Sequence, residues 1–345
     1  MVNKVIPQFV PYWGEDEANA VADVLASDYL NEHKTVREFE KKFAEFVGAK
    51  YCNAVTSGTT ALYIALMVTR PNYQSGIRIP DFDGIFAHNA VIQTNVMPVL
   101  CDVEKNGSMQ LRDNEAGVVV HANGRLGKPT LVEDCAQAIN YHTGGMISTY
   151  SFASTKHLTM AGQGGAICCD DKETFESMTR IKDQGRNDRQ KLKPMSDEYE
   201  FWGINAKVTE IQAAFGLAQL KALPKRLERL NEMYNIVFDI IKDEQDVVMY
   251  DDKPKWYIDC LVKDPVKIMA ELKKDGIITR RFPKPLHQQK ICSNKDMMTP
   301  RLDSNFVFAD GLYDNGLYLP STTNLTDEEM KKIGESLKRA VKTLQ

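Results

Sequence analysis

Short apolar segments and amphipathic segments alternate along residues 51–169, and this alternation limits the fold more than any other feature of the sequence. The apolar segments read YCNAV, IRIP, MPVLCDV, GVVVHA, TLVEDCA, TYSFA and GGAICC, and the helical segments TTALYIALMV and HNAVIQTN lie among the first three. Strands that alternate with helices predict an α/β fold with a largely parallel sheet. No segment repeats at a spacing of about 20 to 50 residues, so a solenoid is excluded.

Helices and strands are also predicted on both sides of this region. Apolar side chains recur at helical spacing in residues 15–27 and 36–47, and the second segment ends at Gly48, a plausible helix stop. Residues 207–230 predict a long helix that Pro224 kinks or breaks. After about residue 235, a strand (WYIDCLV), a helix (PVKIMAELKKDG) and a capped terminal helix (TDEEMKKIGESLKRAVKTL) predict a small second domain. The predicted domains are residues 1–235 and 236–345.

One connection is too short for this pattern. The strand-like segments 118–121 and 131–133 are separated by nine residues that include Gly124, Gly127 and Pro129. A parallel crossover that contains a helix usually needs about a dozen residues or more. Either a loop replaces the helix or the two strands are not adjacent.

Charge and hydropathy exclude two classes of partner. The 345 residues include 43 Lys or Arg and 47 Asp or Glu, for a net charge of −4 and a pI near 5.9, so no basic excess favours nucleic acid. Apolar runs such as residues 117–120 are far shorter than the roughly 18 residues that span a bilayer. The segment MVNKVIPQFV has no signal-peptide hydrophobic region, and we expect a cytoplasmic protein.

The cysteine and histidine spacings give no support to a metal site. The seven cysteines are scattered, and no two have the Cys-x-x-Cys spacing of a zinc site. The six histidines include no His-x-x-x-His pair. We expect buried free thiols and no bound metal.

A hydroxyl-rich segment, Thr56-Ser57-Gly58-Thr59-Thr60, lies between a predicted strand and a predicted helix. Free backbone N–H groups at a helix N-terminus attract phosphate, and the neighbouring hydroxyl groups can bind it as well. The alternative is an ordinary helix cap.

A second polar segment, Glu133-Asp134-Cys135-Ala136-Gln137, follows an apolar strand. Side chains at the carboxyl end of a parallel strand face the ligand crevice of an α/β sheet. Asp134 in that place can keep a pyridine nitrogen protonated, and Gln137 can reach a ring hydroxyl. The alternative is that Asp134 only caps the following turn.

Lys156 follows the segment YSFAST and precedes the glycines at 162, 164 and 165. Burial among apolar neighbours favours loss of its proton, which would make it an imine-forming nucleophile. The alternative is a solvated surface lysine. Asn205 precedes an apolar helix and is most simply a helix cap. The glycines do not form the G-x-G-x-x-G fingerprint, and no Walker motif is present, so dehydrogenase and ATPase chemistry lack their residues.

Taken together, these segments resemble the DegT/StrS family of sugar aminotransferases that depend on pyridoxal phosphate (PLP). The resemblance covers nearly the whole chain, and the segments DQG at 183–185, GIITRRFPKPLH and GLYLPS look most like perosamine-synthase-like members. The motifs, in order, are SGTTAL at 57–62, PDF at 80–82, MPVLCDV at 97–103, EDCAQA at 133–138, SFASTKHL at 151–158, GQGGAI at 162–167, TEIQAAFGLAQL at 209–220, GIITRRFPKPLH at 276–287 and GLYLPS at 316–321.

The resemblance implies a fold and a set of cofactor contacts. The fold is that of PLP-dependent transferases of fold type I, with a large domain built on a mixed, mostly parallel sheet flanked by helices and a small C-terminal αβ domain. Lys156 would form the internal aldimine, Asp134 would pair with the pyridinium nitrogen, and Gln137 would bind the ring hydroxyl. The phosphate would lie among Gly58, Thr59, Thr60 and Ser151. Asn205 would reach the cofactor phosphate of a second subunit in a homodimer.

The same resemblance implies the reaction. L-Glutamate would donate an amino group to C4 of a nucleotide-linked 4-keto-6-deoxy sugar, the cofactor alternating between PLP and its pyridoxamine form. Arg280 or Arg281 would meet a carboxylate or phosphate oxygen, and His287 would lie near the sugar. A surface role for one of the two arginines is equally open.

Three departures from the family leave alternatives open. Gly84 stands where the family places an aromatic residue against the cofactor ring, and Phe82 or Phe86 are the candidates to replace it. Lys207 stands where most relatives have arginine, and the helix before residue 131 is missing. The alternatives are a PLP-dependent sugar dehydratase, which Lys156 disfavours because such enzymes carry histidine there, and a non-catalytic protein that binds PLP or a nucleotide sugar.

Overall fold

The computed structural model describes residues 5–27, 29–69, 76–109, 111–112, 115–142, 145–186, 199–251, 255–294, 298–303 and 305–344. The helices are α1 (Glu15–Ala26), α2 (Lys34–Val47), α3 (Gly58–Thr69), α4 (Phe86–Gln93), α5 (Lys172–Lys182), α6 (Glu210–Ile241), α7 (Pro265–Lys274), α8 (Val307–Asn315) and α9 (Asp327–Thr343). The strands are β1 (Tyr51–Val55), β2 (Ile77–Pro80), β3 (Pro98–Cys101), β4 (Val118–Val120), β5 (Val132–Asp134), β6 (Ile147–Ser151), β7 (Gly165–Cys169), β8 (Val247–Val248), β9 (Asp259–Val262), β10 (Arg280–Arg281), β11 (Arg301–Leu302) and β12 (Gly316–Tyr318).

The large sheet is mixed and mostly parallel, as predicted. Five strands pair in the order β1-β7-β6-β5-β4, and three more pair in the order β11-β3-β2. A parallel bridge between Arg78 and Gly117 joins the two groups at β2 and β4. Among the strands of the described residues in this sheet, β7 runs antiparallel to both of its neighbours. The predicted α/β fold class is therefore confirmed.

Both faces of the large sheet are covered by helices. Alternate residues of a strand point to opposite faces, and in β1 Ala54 packs with α2 and the first half of α6, whereas Val55 packs with α3. α3 lies across the strands β5, β6 and β7. Its side chains Ala61, Leu62 and Ile64 are fully buried. This position directs the N-terminus of α3 towards the end of β6.

A smaller antiparallel sheet, in the order β10-β12-β9-β8, lies in the C-terminal part of the chain. It packs with α7, α9 and the second half of α6 around a separate apolar core. Backbone pairing is one of the ways in which this part contacts the rest of the chain, since Ile6 bridges to Ile277 and β11 pairs with β3. The boundary at residue 235 stays a prediction.

The structure tests the predictions made for Gly48 and Pro224. α2 ends at Gly48, which has a φ of +82° and accordingly suits glycine, as predicted. Of the two effects predicted for Pro224, the break is wrong, because α6 runs through that residue without interruption for 32 residues, and the kink stays a prediction. The buried side chains Leu220 and Leu223 hold this stretch against the core and compensate for the hydrogen bond that proline cannot donate.

The short connection after β4 is a loop. β4 and β5 are adjacent and parallel, and only one 3₁₀ turn, Ala122–Gly124, precedes the irregular segment 125–131. The first of the two predicted alternatives is therefore correct. None of the described helices combines the length and the apolar character that crossing a membrane requires.

Candidate cofactor site

A cavity of about 380 Å³ opens at the carboxyl ends of β5 and β6 and is closed from the side by residues of the small domain. The structure brings six of the predicted site residues to its wall from three separate parts of the chain: Gly58, Thr59, Asp134, Gln137, Ser151 and Lys156. The predicted Arg280 lines it as well. Of the remaining predicted residues, Thr60, Asn205, Arg281 and His287 lie outside this wall.

One end of the cavity is formed by the N-terminus of α3. The Ser57 Oγ accepts a hydrogen bond from the Thr60 N–H at 3.1 Å, and the two hydroxyl groups lie 2.9 Å apart. Thr60 is therefore used in capping the helix, while Ser57, Gly58 and Thr59 face the cavity. The two interpretations of this segment, a helix cap and an anion-binding site, are compatible, because a capped N-terminus still presents N–H groups to an anion.

Gly58 is required by the close approach of α3 to β6. A Cβ atom at residue 58 would lie 2.8 Å from the Cβ of Ser151, closer than side chains pack. Gly165 in β7 is equally restricted, because a Cβ there would lie 2.5 Å from the carbonyl carbon of Ser57. The two glycines bring the Ser151 hydroxyl and the first N–H groups of α3 together, and this polar cradle fits a phosphate group.

Asp134 is the last residue of β5 and is buried at the cavity wall. Its Oδ1 accepts a hydrogen bond from the Ala136 N–H at 2.9 Å, so the turn-capping role is real. Burial raises the pKa of this carboxyl, against the opposing effects of that hydrogen bond, Lys156 and His121. A cationic ring nitrogen in the cavity would stabilise the ionised form. Asp134 thus fits the pyridinium partner that the resemblance implies.

Lys156 is half-buried in the loop after β6, and its Nζ lies 4.3 Å from the ring centroid of Trp256. Burial lowers the pKa of this lysine, although Asp134 and Asp83 act in the opposite direction. Among the ion pairs of the described residues, none includes Lys156. A lysine with a lowered pKa at a cavity wall fits an imine-forming nucleophile, not a solvated surface charge.

Gln137 lies between two other residues of the site. Its Oε1 accepts a hydrogen bond from the Asn123 N–H at 2.7 Å, and its Nε2 donates to Asp83 Oδ1 at 3.4 Å. The Asn123 side chain is held in turn by Asp259 and by the Tyr318 hydroxyl. These contacts link Gln137 to the small domain.

Gly84 and Phe86 show which aromatic residue faces the cavity. A Cβ at residue 84 would lie 2.5 Å from Cε2 of Phe86, so the Phe86 ring occupies the space of a side chain at residue 84. Phe86 lines the cavity and is 57% exposed. Phe82, the other candidate, is buried and packs against Phe282 with ring centroids 5.5 Å apart.

The two arginines of β10 have different surroundings. Arg280 lines the cavity, whereas Arg281 donates a hydrogen bond to the Tyr313 carbonyl at 2.7 Å and stacks over the Tyr313 ring at 4.1 Å. Neighbouring strand residues point to opposite faces, so only one of the pair reaches the site. Arg280 is exposed at the cavity and Arg281 is half-buried against Tyr313, and the substrate role of either arginine stays a prediction.

His287 is engaged away from the cavity wall. Its Nδ1 lies 2.6 Å from Asp81 Oδ2, its Nε2 lies 3.4 Å from Asp310, and its ring stacks on Phe306 with centroids 4.4 Å apart. These contacts position the segment after β10. They give His287 a structural role and leave its predicted place near the sugar without support from the geometry.

Asn205 is exposed and forms a bridge with Asp183. Lys207 pairs with Asp183 as well. The exposed aromatic side chains Phe201 and Trp202 precede Asn205 on the same surface segment. An exposed polar residue next to exposed aromatic residues is consistent with a contact to another subunit.

A second cluster of functional groups lies within the sheet and not at the cavity. The ligand atoms of His121, Glu133 and Cys135 all lie within 4.8 Å of one another. His121 Nδ1 accepts from the Gly127 N–H, His121 Nε2 lies 3.3 Å from Glu133 Oε2, and Glu133 Oε1 accepts from the Thr130 N–H. The ring nitrogens and carboxylate oxygens are thus used to hold the loop that replaces the missing helix.

Several cavity residues were missed by the sequence analysis. Asp83, Trp256, Tyr257 and Tyr318 line the cavity, and the Tyr257 hydroxyl donates to the Thr155 carbonyl at 2.7 Å. The three aromatic residues come from the small domain, more than a hundred residues from Asp134, and no local pattern connects them with it. Asp83 directly follows the recognised PDF segment at 80–82, and its position in the polar turn after a predicted parallel strand was its available signal.

Known proteins are similar to this chain over nearly its whole length. The model of the DegT/DnrJ/EryC1/StrS aminotransferase family matches residues 11–120 and 128–338. The interruption between these ranges falls at the shortened connection after β4. The GDP-perosamine synthase of Escherichia coli O157:H7 is 26% identical, and the match covers 97% of this chain and 98% of that protein.

Solved structures of sugar-modifying enzymes share the fold, and two of them serve as examples. Helicobacter pylori PseC, an aminotransferase involved in the biosynthesis of pseudoaminic acid, has a TM-score of 0.84 at 22% identity and covers 99% of this chain and 100% of its own. The E. coli GDP-4-keto-6-deoxy-D-mannose-3-dehydratase, solved with hydrated PLP, has a TM-score of 0.82 at 19% identity and covers 98% and 100%. At these identities the likeness shows the fold only. The chain itself, with PLP as the cofactor of its site, belongs to the DegT/DnrJ/EryC1/StrS aminotransferase family.

Proposed function

We propose that this protein transfers the amino group of L-glutamate to C4 of a nucleotide-linked 4-keto-6-deoxy sugar. The observation that carries the proposal is the position of Lys156, whose amine shares one cavity with Asp134 and with the N-terminus of α3. These three elements match the reactive carbon, ring nitrogen and phosphate of PLP. The names of relatives, GDP-perosamine synthase among them, support a sugar acceptor.

Each group has a separate task in this proposal. Bound PLP supplies an aldehyde that takes up the amino group and a ring that withdraws electrons from the donor. Lys156 holds the cofactor and moves a proton between the Cα of the amino acid and C4′ of the cofactor. Asp134 keeps the ring nitrogen protonated, because a buried carboxylate stabilises an adjacent cation. The N-terminus of α3 and the Ser151 hydroxyl bind the phosphate.

We also propose positions for the other parts of the complex. Phe86 faces the cofactor ring in place of a side chain at residue 84, because its ring already fills that space. Arg280 binds a carboxylate or phosphate oxygen of a substrate, since a guanidinium group suits both. Asn205 reaches the cofactor phosphate of a second subunit in a homodimer, which accords with its exposure outside its own cavity. The free cysteines of the described chain suit the reducing cytoplasm.

The first test is the absorbance spectrum of the purified protein with PLP, before and after L-glutamate. We expect PLP joined to Lys156 to give an absorbance band in the visible range. This band should disappear when L-glutamate converts the cofactor to its pyridoxamine form. Lys156→Arg keeps the cation but cannot bond to the cofactor, so we expect no visible band and no turnover. Lys255→Arg is the matched control, because Lys255 also lies over an aromatic ring, that of Tyr234 at 3.5 Å, but outside the cavity. It should keep the band.

The second stage identifies the acceptor. The glutamate-treated protein is mixed with GDP-, UDP- or dTDP-linked 4-keto-6-deoxy sugars, and the product is analysed by mass spectrometry and NMR. A product with an amino group at C4 supports the proposal. A product that has lost a ring hydroxyl indicates the dehydratase, and amination at C3 contradicts the proposed position. A protein without any visible band contradicts catalysis and leaves the binding role.

A further inference from the structure

Asp83 lines the cofactor cavity but has none of the tasks assigned above. It lies in the segment that follows β2 and is only 4% exposed. Burying a carboxyl group costs free energy unless hydrogen bonds or nearby charges compensate. The groups around Asp83 therefore indicate what it does.

The hydrogen bonds of Gln137 define the role of Asp83 as an acceptor. An amide oxygen can only accept, and Gln137 Oε1 already accepts from the Asn123 N–H at 2.7 Å. The amide NH₂ group must therefore point the other way, where Asp83 Oδ1 accepts from Nε2 at 3.4 Å. One N–H of Gln137 remains for a ligand. Asp83 and Asn123 together fix the direction in which that N–H points.

The charges around Asp83 come from every element that forms the cavity. The titratable and charged side chains that line the cavity with it are Asp134, Lys156, Tyr257, Arg280 and Tyr318. Burial, followed by the Asp134 charge, raises the pKa of Asp83 to about 7, while its backbone hydrogen bond and Lys156 act against this. Burial also raises the pKa of both tyrosines, which stay neutral. The anionic neighbours of Lys156 are thus Asp134 and Asp83.

We propose that Asp83 is a second carboxyl group of the cofactor site, which supplies negative charge beside Lys156 and the acceptor that orients Gln137. The inference rests on the proposed function, because it concerns how the same cavity holds PLP. Asp83 is a positioning residue in this role, since it acts through Lys156 and Gln137. Asp134, at the end of β5, has a hydrogen bond to its own turn and none to Gln137 among the described contacts.

The charge has a predictable effect on the bound cofactor. An anion favours the protonated form of a neighbouring nitrogen, so ionised Asp83 raises the pH at which the nitrogen joining Lys156 to PLP loses its proton. Without that charge the proton is lost at lower pH. The visible absorbance of bound PLP reports this proton directly, so the measurement needs no turnover.

The experiment compares three proteins loaded with PLP and titrated between pH 5.5 and 9.5. Asp83→Asn removes the charge but keeps the shape and an oxygen that can accept from Gln137. We expect the midpoint of the absorbance change to fall by about 0.5 to 1 pH units. Asp81→Asn is the matched control, because Asp81 is a buried carboxyl two residues away that binds His287 outside the cavity. Its midpoint should match that of the wild type.

The outcomes separate this inference from the proposed function. If the wild type binds no PLP, both are overturned. If the wild type shows the visible band and Asp83→Asn titrates like the wild type, only the role of Asp83 is overturned. An equal fall in the Asp81→Asn protein would also overturn it, because the effect would then not depend on the cavity.

A second variant tests the contact with Gln137 and serves where Asp83→Asn does not fold. Asp83→Ala removes both the charge and the acceptor, so its affinity for PLP should be about threefold to tenfold below that of Asp83→Asn, as expected for a lost hydrogen bond. In a Gln137→Ala background the two variants should bind PLP equally. A difference that persists without Gln137 contradicts the orienting role.

Discussion

At the scale of single residues, the cavity is controlled by a few glycines and the side chains that lie against them. Gly58 and Gly165 allow α3 to approach β6 and β7, and Gly84 leaves room for the Phe86 ring. In each case the neighbour would lie within 3 Å of an added Cβ. Glycines at these positions therefore act indirectly, because the missing side chain leaves space for a neighbouring helix or aromatic ring.

The pair Gly84 and Phe86 gives a prediction at this scale. Phe86→Ala should weaken PLP binding about threefold to tenfold, because ring contacts of this kind contribute about 0.5–1.5 kcal/mol. Gly84→Ala should weaken it similarly by displacing the Phe86 ring. Titration of the apoprotein with PLP measures both.

The double variant makes the test specific. If the Gly84→Ala effect comes only from the clash, the substitution should do nothing further in a Phe86→Ala background. Additive losses would contradict that explanation. Phe308→Ala, which removes another exposed aromatic ring outside the cavity, should leave PLP binding unchanged.

At the scale of elements, the connection between β4 and β5 differs most from an ordinary α/β crossover. His121 and Glu133 are fully buried, and they bind the backbone of the loop at Gly127 and Thr130. Gly127 permits this path, because a Cβ there would lie 2.2 Å from the Met109 carbonyl oxygen. The loop is held by side chains of the sheet instead of by a packed helix.

Removing Glu133 tests this account. Glu133→Ala should lower the free energy of unfolding by about 2–4 kcal/mol, because it leaves buried partners without their acceptor. Urea unfolding of the apoprotein at one fixed protein concentration measures the loss.

Glu38→Ala is the control for this measurement. It removes an exposed carboxylate that pairs with Lys42 at 2.6 Å on α2, and exposed pairs contribute less than about 1 kcal/mol. Equal losses in the two variants would show that Glu133 does not hold the connection.

At the scale of the whole molecule, the cavity needs both parts of the chain, and we propose that it also needs a second copy. Trp256 and Tyr318 come from the small domain, and Asn123 links that domain to Gln137. Asn205 lies outside its own cavity beside the exposed Phe201 and Trp202. A groove of about 1270 Å³ between α1, α2 and α6 contains none of the cavity residues.

Mixed subunits test whether sites are shared. Asn205→Ala and Lys156→Ala should each be inactive or weak as pure proteins, while light scattering shows dimers. After the two are unfolded and refolded together, half of the dimers should be hybrids with one intact site, formed by Lys156 of one subunit and Asn205 of the other. Recovery of about a quarter of the wild-type activity is expected. No recovery, or a monomeric wild type, contradicts shared sites.

Much of the fold and part of the site were predictable from local sequence. The alternation of strands and helices, the stop at Gly48 and the polar segments around Gly58, Asp134 and Lys156 depend on nearby residues only, and the structure places these three segments together. Of the kink or break predicted at Pro224, the break is absent, because local propensity does not include the packing of Leu220 and Leu223.

What the sequence by itself determined is therefore the order and type of the elements and the chemical groups at their ends, because periodicity and capping are short-range properties. The tertiary structure alone decided which of those groups meet. It turned Arg280 towards the cavity and Arg281 away, placed the Phe86 ring over Gly84, and brought Asp83 beside Lys156 and Gln137. These arrangements depend on the pleat of the strand, on the close approach of neighbouring groups and on burial between segments that are distant in the chain. Local sequence patterns therefore do not predict them.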